Sequence, residues 1–196
     1  MRKVDTSQLV FYDLETKYLA DEIEGGWTNC GAMEISVLCV VRDFKGRQIT
    51  EFYDSYNRKK FLERYYCNKD FTLISFNGLG FDNKVIEGSW TPKNSKLAYE
   101  IDLCFEGKKT LKLLDLKVKG CSLDSLATAT LGIGKSGDGA EAPILYRNNN
   151  FADLYTYCLN DVMLTKQLAE FHQNNGIIIH PEYGQIGLGI SWRPSP

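Results

Sequence analysis

The chain has 196 residues, 43% hydrophobic and 24% charged, with a formal net charge of -2. That length suits one domain of the larger sort, residues 1–196, with room for a real core. The charge excludes a strongly basic nucleic-acid coat protein, and no apolar run reaches the roughly 18 residues that a membrane span needs, so no membrane partner is expected. The opening MRKVDTSQLV lacks the apolar core of a signal peptide. Cys30, Cys39, Cys67, Cys104, Cys121 and Cys158 form no CxxC pair, and several fall in apolar runs. A reduced, cytoplasmic setting follows, which a virus- or phage-encoded chain would share.

In chain order, residues 8–15 predict a buried strand, and the polar, glycine-containing residues 17–31 a loop. AMEISVLCVVRD and RQITEFYD predict two strands joined by the turn residues DFKG. Phe61, Leu62, Tyr65 and Tyr66 share one face of a helix expected over residues 55–67. FTLISF reads as a short buried strand stopped by Asn77-Gly78, and FDNKVIEGSW as a short helix. Residues 91–109 read as irregular and TLKLLDLKV as a strand. Ser122 caps a helix whose stripe is Leu123, Leu126, Ala127, Thr130 and Leu131, with Gly132 as its stop. A glycine-rich loop follows to about Asn150, where Asn150 and Asp153 make a capping-box-like start for a long helix ending near Gly176. Residues 184–196 predict an extended C-terminal tail, free to meet a protein partner. This order is mixed α/β with a meander at its start.

Asp13 and Glu15 interrupt the apolar run LVFYDLET two residues apart, so both point to one face of the strand. On the long helix, Tyr157, Asp161, Leu164, Leu168 and Phe171 share a face that should pack on the sheet. Asp82 follows a strand end, where α/β sheets build sites. Four carboxylates brought together would repel one another unless a hard divalent cation joined them. Two Mg²⁺ or Mn²⁺ ions roughly 3.5–4 Å apart form the usual clamp for phosphodiester cleavage.

FYDLET, NGLGFD and YCLND resemble, in this order, the three exonuclease motifs of the DEDD superfamily, in its tyrosine subclass. The histidine subclass would place His where Thr156 stands. The resemblance implies an RNase H-like (DnaQ-like exonuclease) α/β fold: a mixed five-stranded sheet, its second strand antiparallel to the rest, with helices on both faces. It implies a 3′→5′ exonuclease that uses two Mg²⁺ or Mn²⁺ ions on a single-stranded DNA or RNA 3′ end, DNA ahead of RNA. Polymerase proofreading domains are of this kind. By position, Asp13, Glu15, Asp82 and Asp161 would be the metal ligands and, with Tyr157, the catalytic set. Leu14, Thr16, Asn77 and Phe81 would meet the terminal nucleotide. On the residues alone, Leu14 and Phe81 read as core and Asp82 as a helix cap. The alternatives are an inactive nucleic-acid-binding or scaffold module and the nuclease subunit of a larger replication or repair complex.

Gly132, Gly134 and Gly137 spell GxGxxG, and Gly134-Lys135-Ser136 resembles the end of a P-loop. Both motifs must follow a strand and open a helix, whereas this segment follows a helix. It reads instead as a connector, or as a loop that carries Lys135 toward a substrate backbone. His172 and His180 receive no role.

Overall fold

A computed structural model of the chain describes residues 6–88, 98–135, 137 and 139–192. Strands β1 (Leu9–Thr16), β2 (Ile35–Phe44), β3 (Arg47–Tyr53), β4 (Thr72–Ser75) and β5 (Tyr99–Asp102) form one sheet in the order β3-β2-β1-β4-β5. β2 runs antiparallel to β1 and β3, while β4 is parallel to both β1 and β5. This is the mixed sheet of an RNase H-like fold. β1 lies at its centre and is apolar on both faces because both faces are covered. Leu9 and Phe11 enter a core with Val37, Cys39, Ile74 and Ile101. Val10, Tyr12 and Leu14 enter a second core with Leu38, Val40 and Leu73.

The first core is closed by α3 (Leu103–Leu113), α4 (Leu123–Leu131) and α6 (Phe151–Asn175). The second is closed by α1 (Arg58–Phe61), the wider turn Leu62–Tyr66 and α2 (Asp82–Glu87). α5 (Glu141–Arg147) precedes α6, and β6 (Ile178–His180) pairs with β7 (Gly184–Ile186). Ser122 caps α4 by accepting from Ser125 N at 3.1 Å, and Gly132 ends the helix with φ 72°. All six cysteines are free. Among the described residues no helix is long and apolar enough to cross a membrane.

Several expectations need correction. TLKLLDLKV forms no strand: its first four residues complete α3, and the fifth strand is Tyr99–Asp102, inside the segment expected to be irregular. Leu103, Cys104, Gly107, Thr110 and Leu111 are buried at helical spacing, while Leu113 and Leu114 are exposed. Asp102 starts the helix by accepting from Phe105 N. The glycine-rich connection contains α5, and the expected loop 17–31 coils into short tight turns at Ala20–Glu22 and Gly26–Met33. The expected helix over 55–67 begins only at Arg58 and widens from Leu62. At the start of α6 the Asn150 side chain meets the Asp153 carboxylate (2.6 Å) and caps no backbone N–H. The last two residues of the helix expected over 81–90 lie outside the described residues, as do residues 91–97. The C-terminal segment, described to Trp192, lies on the fold: Leu188 is buried and the Trp192 indole donates to His172 Nδ1 at 3.0 Å.

Candidate metal centre

β1 delivers Asp13 and Glu15 to one face of the sheet, and α6 delivers Asp161 to the same place. One carboxylate oxygen from each lies within 4.8 Å of the others. Register fixes this: Asp13 pairs with Cys39 and Glu15 with Val37, both on the face that α6 covers. Leu154, Cys158, Val162 and Ala169 bury the face of α6 next to Asp161, and the Cys158 thiol donates to Asp13 O at 3.5 Å. Tyr157, one turn before Asp161, is buried with it. The Tyr157 hydroxyl and Asp161 Oδ1 have no hydrogen-bond partner among the described residues.

The cluster holds negative charge against its own burial. Asp13 is pushed well above the usual carboxylate range by burial, then by Asp82, Glu15 and Asp161. Glu15 is raised by burial and then by Asp161. Burial also raises Asp161, with Lys135 opposing it. Burial, and then Glu15, raises the Tyr157 phenol above its ordinary 10.0, so it stays protonated near neutrality.

Asp82 is buried at the start of α2. Parallel pairing of β1 with β4 stops at Phe11↔Ile74, so Leu14 N–H, further along β1, donates instead to Asp82 Oδ1 at 3.1 Å. Asp82 thus faces the strand between Asp13 and Glu15, outside the closest three-carboxylate group. Burial, opposed by its backbone hydrogen bonds, lifts its pKa to about 7. Its position depends on two carboxylates of β5. Asp102 accepts from Asn77 N (2.9 Å) and Leu79 N (3.1 Å), which fixes the turn where Asn77 takes φ 67°. Glu100 accepts from Tyr12 (2.8 Å), Ser75 (2.6 Å) and Asn83 (2.7 Å).

Lys135 comes from the glycine-rich loop. Its Nζ lies 2.5 Å from Asp161 Oδ2 and over the Tyr157 ring at 5.4 Å. Burial works against this ammonium, but Asp161 outweighs it and raises the pKa. The glycines serve close approach: a Cβ at Gly134 would lie 2.6 Å from Asp124 Oδ1, and one at Gly137 3.2 Å from the Tyr157 ring. Beside the carboxylates a cavity of about 470 Å³ is lined by Asp13, Asp161, Lys135, Asn77, Lys108 and Lys119 among others.

The family model described as RNase_H superfamily (RNase_H_2) matches residues 10–173. The chain belongs to the RNase H superfamily. No curated protein matches it. An RNase H-like fold with an acidic cluster at its central strand is nuclease-like, and the cluster suits a divalent metal ion. All three groups are hard oxygen donors, Asp161 Oδ1 lacks a partner among the described residues, and each carboxyl is raised as an uncompensated charge would be.

The four residues expected at the substrate lie around this superfamily site in different ways. Leu14 is buried in the second core, and Thr16 is buried with its hydroxyl donating to Tyr18 O at 2.9 Å. Asn77 lines the cavity. Half-buried Phe81 meets the exposed Trp27 at 5.8 Å. Glu100, Asp102 and the ion pair of Lys135 with Asp161 were missed. The capping geometry of Asp102 was open to a sequence argument. The ion pair was not, because no local pattern links the loop to Asp161, 26 residues further along the chain.

Proposed function

We propose that the protein is a metal-dependent 3′→5′ exonuclease of the tyrosine subclass of the DEDD superfamily, cleaving single-stranded 3′ ends, DNA ahead of RNA, to nucleoside 5′-monophosphates. The observation that carries this is the meeting of Asp13, Glu15 and Asp161 beside the buried hydroxyl of Tyr157, which has no hydrogen-bond partner among the described residues. Polarity and subclass rest on the ordered motifs FYDLET, NGLGFD and YCLND. Asp13, Glu15 and Asp161 would hold one Mg²⁺ or Mn²⁺ ion, and Asp13 with Asp82 a second. Such ions lower the pKa of a bound water and neutralise charge on the phosphate. Tyr157, kept protonated, orients the attacking water and does not act as its base. The cavity beside the carboxylates is of the scale that takes one nucleotide. A replication or repair complex with a protein partner at the C-terminal segment is a compatible setting.

The test offers labelled single-stranded DNA and RNA, with free or blocked 3′ ends, in Mg²⁺ or Mn²⁺. Stepwise shortening from the free 3′ end is expected, abolished by the block and by Asp13→Ala. No shortening, shortening undiminished in Asp13→Ala, or indifference to the block would overturn the proposal. One observation favours a non-catalytic nucleic-acid-binding module instead: Lys135 already pairs with Asp161. Calorimetry with Mn²⁺ separates the two, because a module of that kind takes up no ion.

A further inference from the structure

The face of the sheet away from the carboxylates carries a charge that the metal centre does not use. Arg42 lies near the end of β2, two residues after Val40, so its side chain points to the side of the second core, opposite Asp13 and Glu15. It is only 9% exposed. Its guanidinium sits among three rings, with Cζ 5.1 Å from the Phe44 centroid, 5.7 Å from Phe71 and 5.9 Å from Tyr65. The rings offset part of the cost of burying this charge, but they neutralise none of it. Nε is sealed from solvent and has no hydrogen-bond partner among the described residues. Two carboxylates on the adjoining strands are already engaged. Glu51, opposite Val40 on β3, pairs with Arg64 at 2.5 Å and accepts from the Tyr65 hydroxyl. Asp43 pairs with Lys166 of α6, on the other face, at 3.1 Å. A buried cation left in this state favours the arrival of an anion. A second cation stands beside it. Lys45, at the hairpin tip with φ 51°, places Nζ 5.2 Å from the same Phe44 ring, and Phe44 is itself exposed.

We propose that Arg42 and Lys45 form a phosphate-binding site on the face of the sheet opposite the carboxylates, separate from the cavity beside them. The planar guanidinium, held in place by the rings, can donate to two oxygens of one phosphate, and the lysine supplies a movable point charge for a third. Two cations suit a dianionic phosphate monoester better than a carboxylate, whose single charge one of them would satisfy. Free phosphate and the 5′-phosphate of a nucleic-acid strand share that chemistry. The site does not depend on the nuclease function proposed above.

The test is calorimetry with inorganic phosphate on the full chain, in chelator and at constant ionic strength. Saturable uptake of one phosphate is expected. Arg42→Gln should weaken it roughly 10- to 150-fold, as the loss of charge-assisted hydrogen bonds predicts. Lys45 is exposed, so Lys45→Ala should fold as the wild type does and weaken uptake roughly two- to fivefold. Lys135→Ala should leave uptake unchanged, because Lys135 lines the cavity beside the carboxylates. Displacement of the phosphate by a 5′-phosphorylated oligonucleotide, and not by its unphosphorylated twin, assigns the ligand to a strand end; displacement by neither assigns it to free phosphate. No uptake by the wild type, uptake that survives both Arg42→Gln and Lys45→Ala, or uptake lost in Lys135→Ala overturns the site. Uptake that appears only in Asp5→Asn also overturns it, since Asp5, outside the described residues, would then be the anion that Arg42 already holds.

Discussion

Asp82 makes the stability of the metal-free protein fall as pH rises. Its carboxyl titrates at about 7 in the fold against an ordinary 3.8. Below about pH 4 the group is protonated in both native and unfolded chains and carries no penalty. As pH rises, the unfolded chain releases its proton first, and the penalty is complete above about pH 7. At roughly 1.36 kcal/mol per pH unit the full effect is about 4 kcal/mol, of which about 2.5 kcal/mol falls between about pH 5 and pH 8. For a chain of this size that is roughly 5–10 °C in Tm. Asp13 and Glu15 are raised in the same direction, so they add to the slope. The assay is thermal unfolding in chelator across that pH range, for the wild type and Asp82→Asn. The variant keeps an oxygen that can accept from Leu14 N, so it should fold and lose the Asp82 share of the pH dependence. A variant with the slope of the wild type would refute this account of Asp82.

Other perturbations separate the parts of the site. Mn²⁺ at about 100 times its Kd should stabilise the wild type by about 2.7 kcal/mol, and a thermal-shift titration should show that gain lost in Asp161→Asn. Tyr157→Phe should lower turnover roughly 100-fold through a misplaced water while leaving the Mn²⁺-induced Tm gain intact. Asp102→Ala removes the acceptor of Asn77 N, Leu79 N and Phe105 N, and urea unfolding should show a loss of about 3 kcal/mol. Gly31→Ala should cost roughly 1–3 kcal/mol by forcing apart residues 17–34 and α2, measured in the same way.

What could be read in the sequence was what local periodicity encodes. β1 and α6 are long elements with clear apolar periodicity, so Asp13, Glu15, Tyr157 and Asp161 could be placed on elements and faces that the fold reproduces. Ser122 and Gly132 bounded α4 because caps are local chemistry. β5 escaped because YEID is four residues long with one buried carboxylate, Asp102, and a second, Glu100, mostly withdrawn from solvent, a pattern that resembles a loop. Those carboxylates are there to hold the Asn77–Asn83 turn, a purpose visible only when β4 and β5 lie side by side. LKLLDL misled in the opposite way: its leucines suit a strand, but only Leu111 is buried.

The same limit applies to the charge balance of the site. The carboxylates on β1 and α6 require a positive partner, and sequence reasoning names divalent metal because it knows the elements and not the loops. The fold adds a second cation, Lys135, brought in where Gly134 and Gly137 allow the backbone to pass close to Asp124 and Tyr157. A lysine can oppose the burial of one carboxylate, Asp161, but it does not satisfy the three that meet there: Asp13, Glu15 and Asp161 all remain raised with it in place. The uncompensated remainder is what leaves the site a demand for a further cation. It also makes the Mn²⁺ titration the decisive measurement, since a site satisfied by Lys135 would show no metal-dependent gain in stability.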